Sequence, residues 1–297
     1  MTCPGRLVAI DDAELWIDER GPADGIPMIA LHGGPGFDHH IFGDYLDPLG
    51  DRGIRTIFVD QRGHGRSGPS DPGTWTIERH AQDVIMLARA LRLDRYVVYG
   101  HSYGAFVALQ NAVDYPGMAA GTIVSAGVPS VAWLEGAEGE LASLEPAQRE
   151  QIETAWAVGG PDVTGDDLVA SLYAQMPFHF ADPRDPRIDG FVDRTQGLIG
   201  SPNVAFAFEE RGLGIDVEDR LPDVPHPVLV LAGRHDRACP AAAAERMAAL
   251  LPNATLRVFE EAGHMPYVEA PADYGRRRRL RRVAQSMTAR TAPVSTT

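Results

Sequence analysis

A serine flanked by glycines stands between an apolar strand-like run and an apolar helix-like run. The segment Gly100-His101-Ser102-Tyr103-Gly104 follows RYVVY and precedes AFVALQNAV. A serine in such a tight strand-to-helix turn holds its hydroxyl above the sheet, and glycines are needed where side chains would meet neighbouring backbone. The N-terminus of the following helix also favours negative charge that develops at this point. The pattern predicts that Ser102 is a nucleophile.

A serine hydroxyl needs a base to activate it, and the base needs an acid to orient it. Asp236 follows the apolar run PVLVLAG, and His264 follows TLRVFEEAG, so the chain order is Ser, Asp, His. Both positions come at the carboxyl ends of predicted strands, where parallel sheets gather their sites. We expect His264 to be the base and Asp236 its partner. Asp219 and Asp223 are rival acids, but neither directly follows a strand.

A third feature is a turn of small residues, His32-Gly33-Gly34-Pro35-Gly36, directly after the strand-like run PMIAL. Such a turn aims backbone N–H groups into a site. The Gly34 N–H and the N–H of Tyr103, the residue after the nucleophile, are predicted to form the oxyanion hole. Together these parts predict attack of Ser102 on a carbonyl group, an acyl-enzyme, and its hydrolysis by water. This chemistry needs no cofactor.

The surrounding elements alternate between short apolar runs and helical patterns. We expect an opening hairpin in LVAIDDAELWIDERG, and strands in PMIALHG, RTIFVDQ, RYVVYGH, GTIVSAG, PVLVLAG and TLRVFEEAG. Ile77, Ala81, Val84, Ala88 and Leu91 recur at the spacing of one helix face. The alternation predicts an α/β fold with a mostly parallel central sheet covered by helices.

The alternation breaks after Val128-Pro129, and residues 130–222 are helix-like and acidic. The clearest helical segments there are EPAQREQIETAWAV and GDDLVASLYAQM, separated from the next strand by a Pro/Asp stretch, FHFADPRDPRIDG, and by LPDVPHP. We interpret residues 130–222 as a helical cap inserted into a core made of residues 1–129 and 223–297.

Composition excludes several classes of protein. Of 297 residues, 44% are hydrophobic and 23% charged, which argues against fibrous and fully disordered chains. All 27 basic residues are Arg, so Schiff-base, pyridoxal-phosphate and P-loop lysines are excluded. The net charge of −14 disfavours nucleic acid and anionic membranes as partners. The Arg-rich segment 275–282 is interpreted as the solvated face of a last helix from Ala272 to Met287, and a patch that binds nucleic acid or an anionic surface is the alternative.

Metal and membrane sites are not expected either. Cys3 and Cys239 are too few for a disulfide framework or a thiolate metal site, and His39-His40 lacks a partner at ligand spacing. Cys239 is interpreted as a packing residue. No apolar run approaches the ~18 residues of a membrane span, and no secretory signal pattern opens the chain. We therefore expect a cytoplasmic protein that acts on a small molecule, with its oligomeric state left open.

Five motifs occur in the order expected of one large superfamily: HGGPG, DQRGHGRS at 60–67, GHSYGA, GRHD and AGHMPYVEAP. Together they resemble an α/β-hydrolase, and HGGPG with DQRGHGRS most resembles the prolyl iminopeptidase family. That resemblance implies removal of an N-terminal proline by Ser102, His264 and Asp236, with cap carboxylates holding the free amine of the substrate.

The amine-binding part of this resemblance is incomplete. Members of that family have a segment that resembles G-P-x-E-F just before the penultimate strand. At the corresponding place this chain has Gly-Ser-Pro-Asn-Val-Ala-Phe, residues 200–206, so the glutamate is missing. Glu209 and Glu210 lie close by and are candidates to replace it. The equal alternative is that both glutamates are simply charged residues on the solvent-facing side of a helix. The aromatic residues that are candidates to line the cleft between core and cap are Phe37, Tyr103, Trp133, Tyr173, Phe178, Phe206 and Phe208.

Several functions remain open at this point. A small amide or peptide is the first candidate substrate, and an ester or lactone, suggested by the broken cap motif, is the second. A carbon–carbon bond hydrolase is a distant third. A non-catalytic small-molecule receptor on the same fold is the alternative from a different class. The Asp nucleophile of haloalkane dehalogenases and epoxide hydrolases is excluded because Ser102 occupies that position.

Overall fold

The computed structural model describes residues 3–274, which form one eight-stranded sheet with helices on its faces. The strands are β1 (Cys3–Ala9), β2 (Glu14–Arg20), β3 (Ile26–Leu31), β4 (Ile54–Val59), β5 (Val97–His101), β6 (Gly121–Ser125), β7 (Val228–Gly233) and β8 (Ala254–Phe259). Their order across the sheet is β1-β2-β4-β3-β5-β6-β7-β8. β1, β2 and β4 pair antiparallel, and every pair from β4-β3 to β7-β8 is parallel. The predicted α/β fold with a mostly parallel sheet is confirmed.

The α-helices of the described chain range from four to fourteen residues. They are α1 (Ile77–Ala90), α2 (Tyr103–Asp114), α3 (Ala137–Glu140), α4 (Pro146–Trp156), α5 (Gly165–Ala174), α6 (Met176–His179), α7 (Arg187–Arg194), α8 (Pro202–Arg211), α9 (Ala241–Leu250), α10 (Pro266–Glu269) and α11 (Pro271–Tyr274). Short 3-10 helices lie at His39–Phe42, Asp47–Arg52, Pro72–Thr74, Val131–Leu134, Leu141–Ser143 and Glu218–Asp223. Among the described helices, none is long and apolar enough to cross a membrane.

The strand side chains divide between two apolar clusters, one on each face of the sheet. Along β3, Ile29 and Leu31 belong to the cluster covered by α1, α2 and α9. Met28 and Ala30 belong to the other cluster, together with apolar residues of α5 to α7. This split follows the alternation of side chains along a strand. Because both faces are buried, the central strands are mostly apolar.

Helix α1 shows why the predicted helix face was correct. Thr76 caps its N-terminus, with the side-chain oxygen accepting a hydrogen bond from the Arg79 N–H. Ile77, Ala81, Val84 and Ala88 are all buried in the cluster that α1 shares with the sheet. The apolar spacing therefore fixed both the helix and the face that it buries.

Helices α3 to α8 lie between β6 and β7 in the chain, and the segments that enter and leave this region run side by side. The Val131 N–H donates to the Ile215 carbonyl (2.9 Å), and the Val217 N–H donates to the Pro129 carbonyl (2.8 Å). The division into a core and a cap at 129/130 and 222/223 stays a prediction. The Arg-rich segment 275–282, and most of the helix predicted from Ala272, lie outside the described residues.

Candidate active site

Ser102 lies between β5 and α2 in a backbone conformation that side chains rarely adopt, with φ 55° and ψ −121°. The two neighbouring glycines make this turn possible. A Cβ on Gly100 would collide with the Gly104 carbonyl, and a Cβ on Gly104 would collide with the Leu31 carbonyl of β3. The glycine requirement deduced from the sequence thus has a steric cause, since the turn packs backbone against backbone.

The Ser102 hydroxyl belongs to a hydrogen-bonded chain of three side chains. Its Oγ lies 2.9 Å from Nε2 of His264, and Nδ1 of His264 lies 2.9 Å from Oδ2 of Asp236. Asp236 Oδ1 also accepts the backbone N–H groups of Ala238 (2.9 Å) and Cys239 (2.7 Å). Asp236 and His264 are buried, so the carboxylate is fixed by N–H donors within the protein.

Sheet order explains how three residues that are far apart in sequence meet. Ser102 follows β5, Asp236 follows β7 and His264 follows β8, and these strands lie in the order β5-β6-β7-β8. The loops after β7 and β8 are in direct contact, since the His235 N–H donates to the Ala262 carbonyl (2.9 Å). At the end of β7, Gly233 packs so closely against the Gly263 carbonyl that a Cβ would collide with it. All three residues therefore gather at the carboxyl edge of the sheet.

The turn after β3 is held beside Ser102 by a buried histidine. The Gln61 N–H donates to Nε2 of His32 (3.1 Å), which leaves Nδ1 of His32 protonated to donate to the Gly33 carbonyl (2.8 Å). Burial lowers the pKa of His32 and so favours this neutral form. Because the Gly33 carbonyl is turned towards His32, the Gly34 N–H of the same peptide unit points to the opposite side.

The second predicted donor is the N–H of Tyr103, the first residue of α2. The first N–H groups of a helix have no partner within the helix and are available to an anion. The Tyr103 side chain points into the core, where its hydroxyl lies 2.7 Å from Nδ1 of His80. Only the backbone of Tyr103 is therefore suited to the oxyanion role.

A cavity of about 330 Å³ opens beside Ser102 between the sheet edge and the helices α4, α5, α6 and α8. Apolar side chains dominate its lining, including Phe37 and Phe206, which the sequence had indicated. Glu209 is the one carboxylate residue among the described residues that line it. Within α8, residues 205, 206 and 209 share the face that points to the cavity.

Two of the predicted substrate-binding residues lie elsewhere. Trp133 belongs to the 3-10 helix at the start of the region between β6 and β7, and its Nε1 donates to Glu218 (2.9 Å). It lines a separate surface cavity that also includes Arg234 and Arg237. Glu210 is exposed like Glu209, but it does not line the cavity at Ser102, because it is one helical step beyond Glu209.

The other aromatic candidates are packing residues in the structure. Tyr173 lies with its hydroxyl 3.1 Å from the Thr195 carbonyl, while Phe178 and Phe208 are buried. One set of cavity-lining residues was not predicted from the sequence; they lie on α5, on α6 and between the two helices: Leu168, Leu172, Gln175, Met176 and His179. Their spacing of three to four residues is the signal that would have identified them as one helical face.

Two histidines flank His264 and stay neutral. The rings of His101 and His179 each have their centroid 5.1 Å from that of His264. Burial, and next the charge of His264, lower the pKa of both residues well below the ordinary value. His264 is consequently surrounded by uncharged imidazoles, so no neighbouring histidine cation opposes a positive charge on its ring.

Two groups of side chains have the donor types of a metal site, each with its ligating atoms within 4.8 Å: Asp38-His39-His40 and Asp236-Cys239-His264. Nδ1 of His40 lies 2.7 Å from Asp38, and Nδ1 of His39 bonds Asp60, so these donors are engaged within the protein. Burial raises the pKa of the Cys239 thiol well above its usual value, which disfavours the thiolate that a metal needs.

Residues 28–277 match the model of a family described as "Alpha/beta hydrolase family". This chain belongs to the α/β-hydrolase family. It is 27% identical to a proline iminopeptidase of Heyndrickxia coagulans over 266 residues, which is 86% of this chain and 90% of the relative. It is 30% identical to a non-heme chloroperoxidase of Streptomyces lividans over 272 residues, 88% of this chain and 92% of that protein.

Among solved structures, a thermophilic esterase from Thermogutta terrifontis superposes with a TM-score of 0.70 at 26% identity, covering 95% of this chain and 99% of the esterase. The resemblance to α/β-hydrolases and to proline iminopeptidases is thereby confirmed, and the protein is a hydrolase. The names of these relatives differ in substrate, so they identify the family without fixing what this α/β-hydrolase cleaves.

Proposed function

We propose that this α/β-hydrolase works through an acyl-enzyme on Ser102. The chain of hydrogen bonds from Ser102 Oγ through His264 to Asp236 is the observation that carries the proposal. His264 Nε2 takes the hydroxyl proton as Oγ attacks the substrate carbonyl, and then returns the proton to the leaving group. Asp236 orients the imidazole and stabilises its positive charge.

The carbonyl oxygen becomes negative in the tetrahedral intermediate and accepts hydrogen bonds from the N–H groups of Gly34 and Tyr103. After the leaving group departs, a water molecule loses a proton to His264 and attacks the acyl carbon. Collapse of this second intermediate returns the proton to Ser102 and releases the acid. Each proton that His264 accepts is returned within the same half-reaction, so the cycle closes.

The first substrate class is a small amide or peptide with a free N-terminal amine. Glu209 supports it, because this exposed carboxylate lines a largely apolar cavity and offers a charged partner for an ammonium group. Similarity to curated proline iminopeptidases supports the same class. The cavity of about 330 Å³ suits an acyl group of amino-acid size better than a long chain.

A small ester is the second candidate, and the apolar lining of the cavity favours it. An ester carries no ammonium group, so it would need neither Glu209 nor the glutamate that is missing from residues 200–206. The superposition on an esterase supports this reading as well. Both candidates share the same chemistry at Ser102 and differ only in what the cavity binds.

A paired assay with proline p-nitroanilide and p-nitrophenyl butyrate tests both classes. Ser102→Ala is expected to abolish turnover of whichever substrate is cleaved. If the amide is the substrate, Glu209→Gln raises the KM for the anilide by about 10-fold to 100-fold, the worth of a charge-assisted hydrogen bond. Glu210→Gln is the matched control, because Glu210 is equally exposed on the same helix but does not line the cavity.

The results of this assay distinguish the two substrate classes from each other and test the acyl-enzyme mechanism. Cleavage of the ester alone, unaffected by Glu209→Gln, would overturn the peptidase class and leave the esterase. Turnover near the wild-type rate in Ser102→Ala would overturn the acyl-enzyme itself. Absence of turnover together with absence of labelling by a fluorophosphonate would point to the non-catalytic receptor.

A further inference from the structure

Glu269, at the end of α10, is a buried carboxylate that the proposed mechanism does not use. Its side chain is sealed from solvent, with the residue only 6% exposed. Among the ion pairs of residues 3–274, none involves this carboxylate. The Arg187 guanidinium donates to the backbone carbonyl of Glu269, so its charge is near, but it does not bond the carboxylate. Burying a carboxylate without a direct ion pair is costly, so its own contacts must replace the lost water.

Three backbone N–H groups fill that role, and two of them bracket His264. Oε2 of Glu269 accepts from Gly263 (2.9 Å) and from Met265 (3.2 Å), the residues on either side of the histidine. Oε1 accepts from Ala181 (2.8 Å), which lies in the segment between α6 and α7. One carboxylate thus joins the His264 loop to the helical region inserted between β6 and β7.

The same junction contains a further contact. The His264 N–H donates to the His179 carbonyl (2.7 Å), so three consecutive N–H groups, from 263 to 265, point into this junction. Gly263 allows the approach, because a Cβ there would lie 2.7 Å from both the Ala181 nitrogen and the His179 carbonyl oxygen. The backbone of His264 is therefore defined by Glu269 and by residues 179–181 together.

Arg237 holds the segment 178–181 from the other side. Its guanidinium donates to the Phe180 carbonyl (2.7 Å) and to the Ala181 carbonyl (3.3 Å), and Arg237 directly follows Asp236 in the chain. The segment is consequently clamped between the loop that carries Asp236 and the loop that carries His264. A shift of this segment would move both of these loops.

We propose that Glu269 is a positioning residue: it sets the geometry of His264 towards Ser102 and makes the segment 179–181 part of that geometry. This inference rests on the proposed function, since it concerns the base of the acyl-enzyme mechanism. A carboxylate suits the role because it only accepts hydrogen bonds, whereas an amide presents an NH2 group to at least one of the three donors. Catalytic groups displaced by a fraction of an ångström lose much of their rate.

The test compares Glu269→Gln with Glu261→Gln, an exposed glutamate in the same loop. The readout is the second-order rate constant for labelling of Ser102 by a fluorophosphonate, followed by kcat and KM for any substrate cleaved. We expect Glu269→Gln to label about tenfold more slowly than wild type, and Glu261→Gln to match wild type. Glu269→Met, which accepts none of the three hydrogen bonds, is expected to be slower still.

Two measurements separate positioning from a loss of folded protein. Far-ultraviolet circular dichroism and thermal unfolding give the folded fraction at the assay temperature, to which each rate is normalised. The proton resonance of the His264 Nδ1–H, hydrogen-bonded to Asp236, is expected to shift in Glu269→Gln and to stay in place in Glu261→Gln. If Glu269→Met does not fold, Glu269→Gln decides the question.

The two proposals fail in different ways. If the wild-type protein is not labelled at Ser102, the proposed function is wrong. If the wild type is labelled and folded Glu269→Gln is labelled at the same rate, with an unshifted Nδ1–H resonance, Glu269 is a structural residue only. A kcat reduced by the same factor for every substrate is the expected signature, because His264 serves each reaction equally.

Discussion

Asp236 illustrates how single residues acquire a role from the atoms around them. Its carboxylate accepts the Nδ1–H of His264 and two backbone N–H groups, from Ala238 and Cys239. These two N–H donors fix the orientation of the carboxylate before any reaction begins. In the proposed mechanism, the positive charge that forms on His264 meets a prearranged counter-charge, so little reorganisation is needed.

Asp236→Asn is therefore expected to keep the fold and to lower kcat by about 10³-fold to 10⁴-fold. The asparagine retains the shape of aspartate but carries no charge, and its NH2 group can hold the imidazole in the wrong tautomer. Steady-state kinetics on the substrate identified by the paired assay provides the measurement. Asp223→Asn is the control, because Asp223 is exposed and was the rival acid; equal losses in both variants would contradict the assignment.

At the residue scale, the structure brings the three predicted reacting groups together, but not all of the predicted binding groups. Ser102, Asp236 and His264 are recognisable because each needs one residue type at one point relative to a strand. Phe37 and Phe206 line the cavity and Trp133 does not, although all three were predicted as aromatic lining residues. Of the two glutamates predicted to bind an amine, Glu209 lines the cavity and Glu210 does not. Residue type alone does not state the direction of a side chain, and one step along α8 separates Glu209 from Glu210.

At the scale of elements, the turn between β5 and α2 depends on a glycine that packs against a neighbouring strand. Gly104 brings the first turn of α2 against the Leu31 carbonyl of β3. This contact sets the height of Ser102 above the sheet. It also brings the turn after β3 near Ser102, where a Cβ on Gly33 would lie 3.2 Å from the Ser102 Cβ.

Gly104→Ala is expected to destabilise the protein by several kcal/mol, about 3 kcal/mol or more, because backbone must move to admit the methyl group. Gly190→Ala in α7 is the matched comparison: a Cβ there meets nothing within 4 Å. This second change is expected to stabilise by about 0.5–1 kcal/mol, since alanine favours a helix interior. Chemical denaturation of both variants gives the measurement, and equal effects would contradict the steric argument.

Element prediction was least complete in the Pro/Asp stretch 178–190. The helices α6 and α7 occupy parts of it and of the residues that follow, yet the sequence there offered prolines and acids without a long apolar period. Tertiary contacts explain α7: Phe191 is fully buried, and Arg187 pairs with Asp185 at the start of the helix. A short helix gains most of its stability from such packing, so local pattern is a weak guide.

At the scale of the whole molecule, several buried histidines stay neutral. Burial lowers the pKa of His64 to about 3 and that of His226 to about 4. An unfolded chain binds a proton at each such histidine near pH 6.5. As pH falls below about 6.5, these histidines therefore bind protons in the unfolded state but not in the folded state. The free energy of unfolding declines as a result until the pH reaches the pKa of the folded state.

His226 allows a test of this acid sensitivity away from the proposed active site. Between neutral pH and pH 5 its share of the loss is about 2 kcal/mol, from pKa values of about 4 folded and about 6.5 unfolded. His226→Gln is expected to reduce the loss of unfolding free energy over that range by about this amount. Urea unfolding at both pH values measures it, and the exposed His235→Gln serves as control; an unchanged pH dependence in His226→Gln would contradict the prediction.

The sequence by itself predicted the strands of the sheet, the flanking helices α1 and α2, and the three residues of the proposed acyl-enzyme chemistry. It could do so because apolar period, turn glycines and strand ends are local properties that follow from covalent geometry and burial. Only the tertiary structure decided which side chains enter the cavity, and that Glu269 joins the His264 loop to residues 179–181. These features depend on distances between segments that are remote in the chain, and no local pattern encodes such distances.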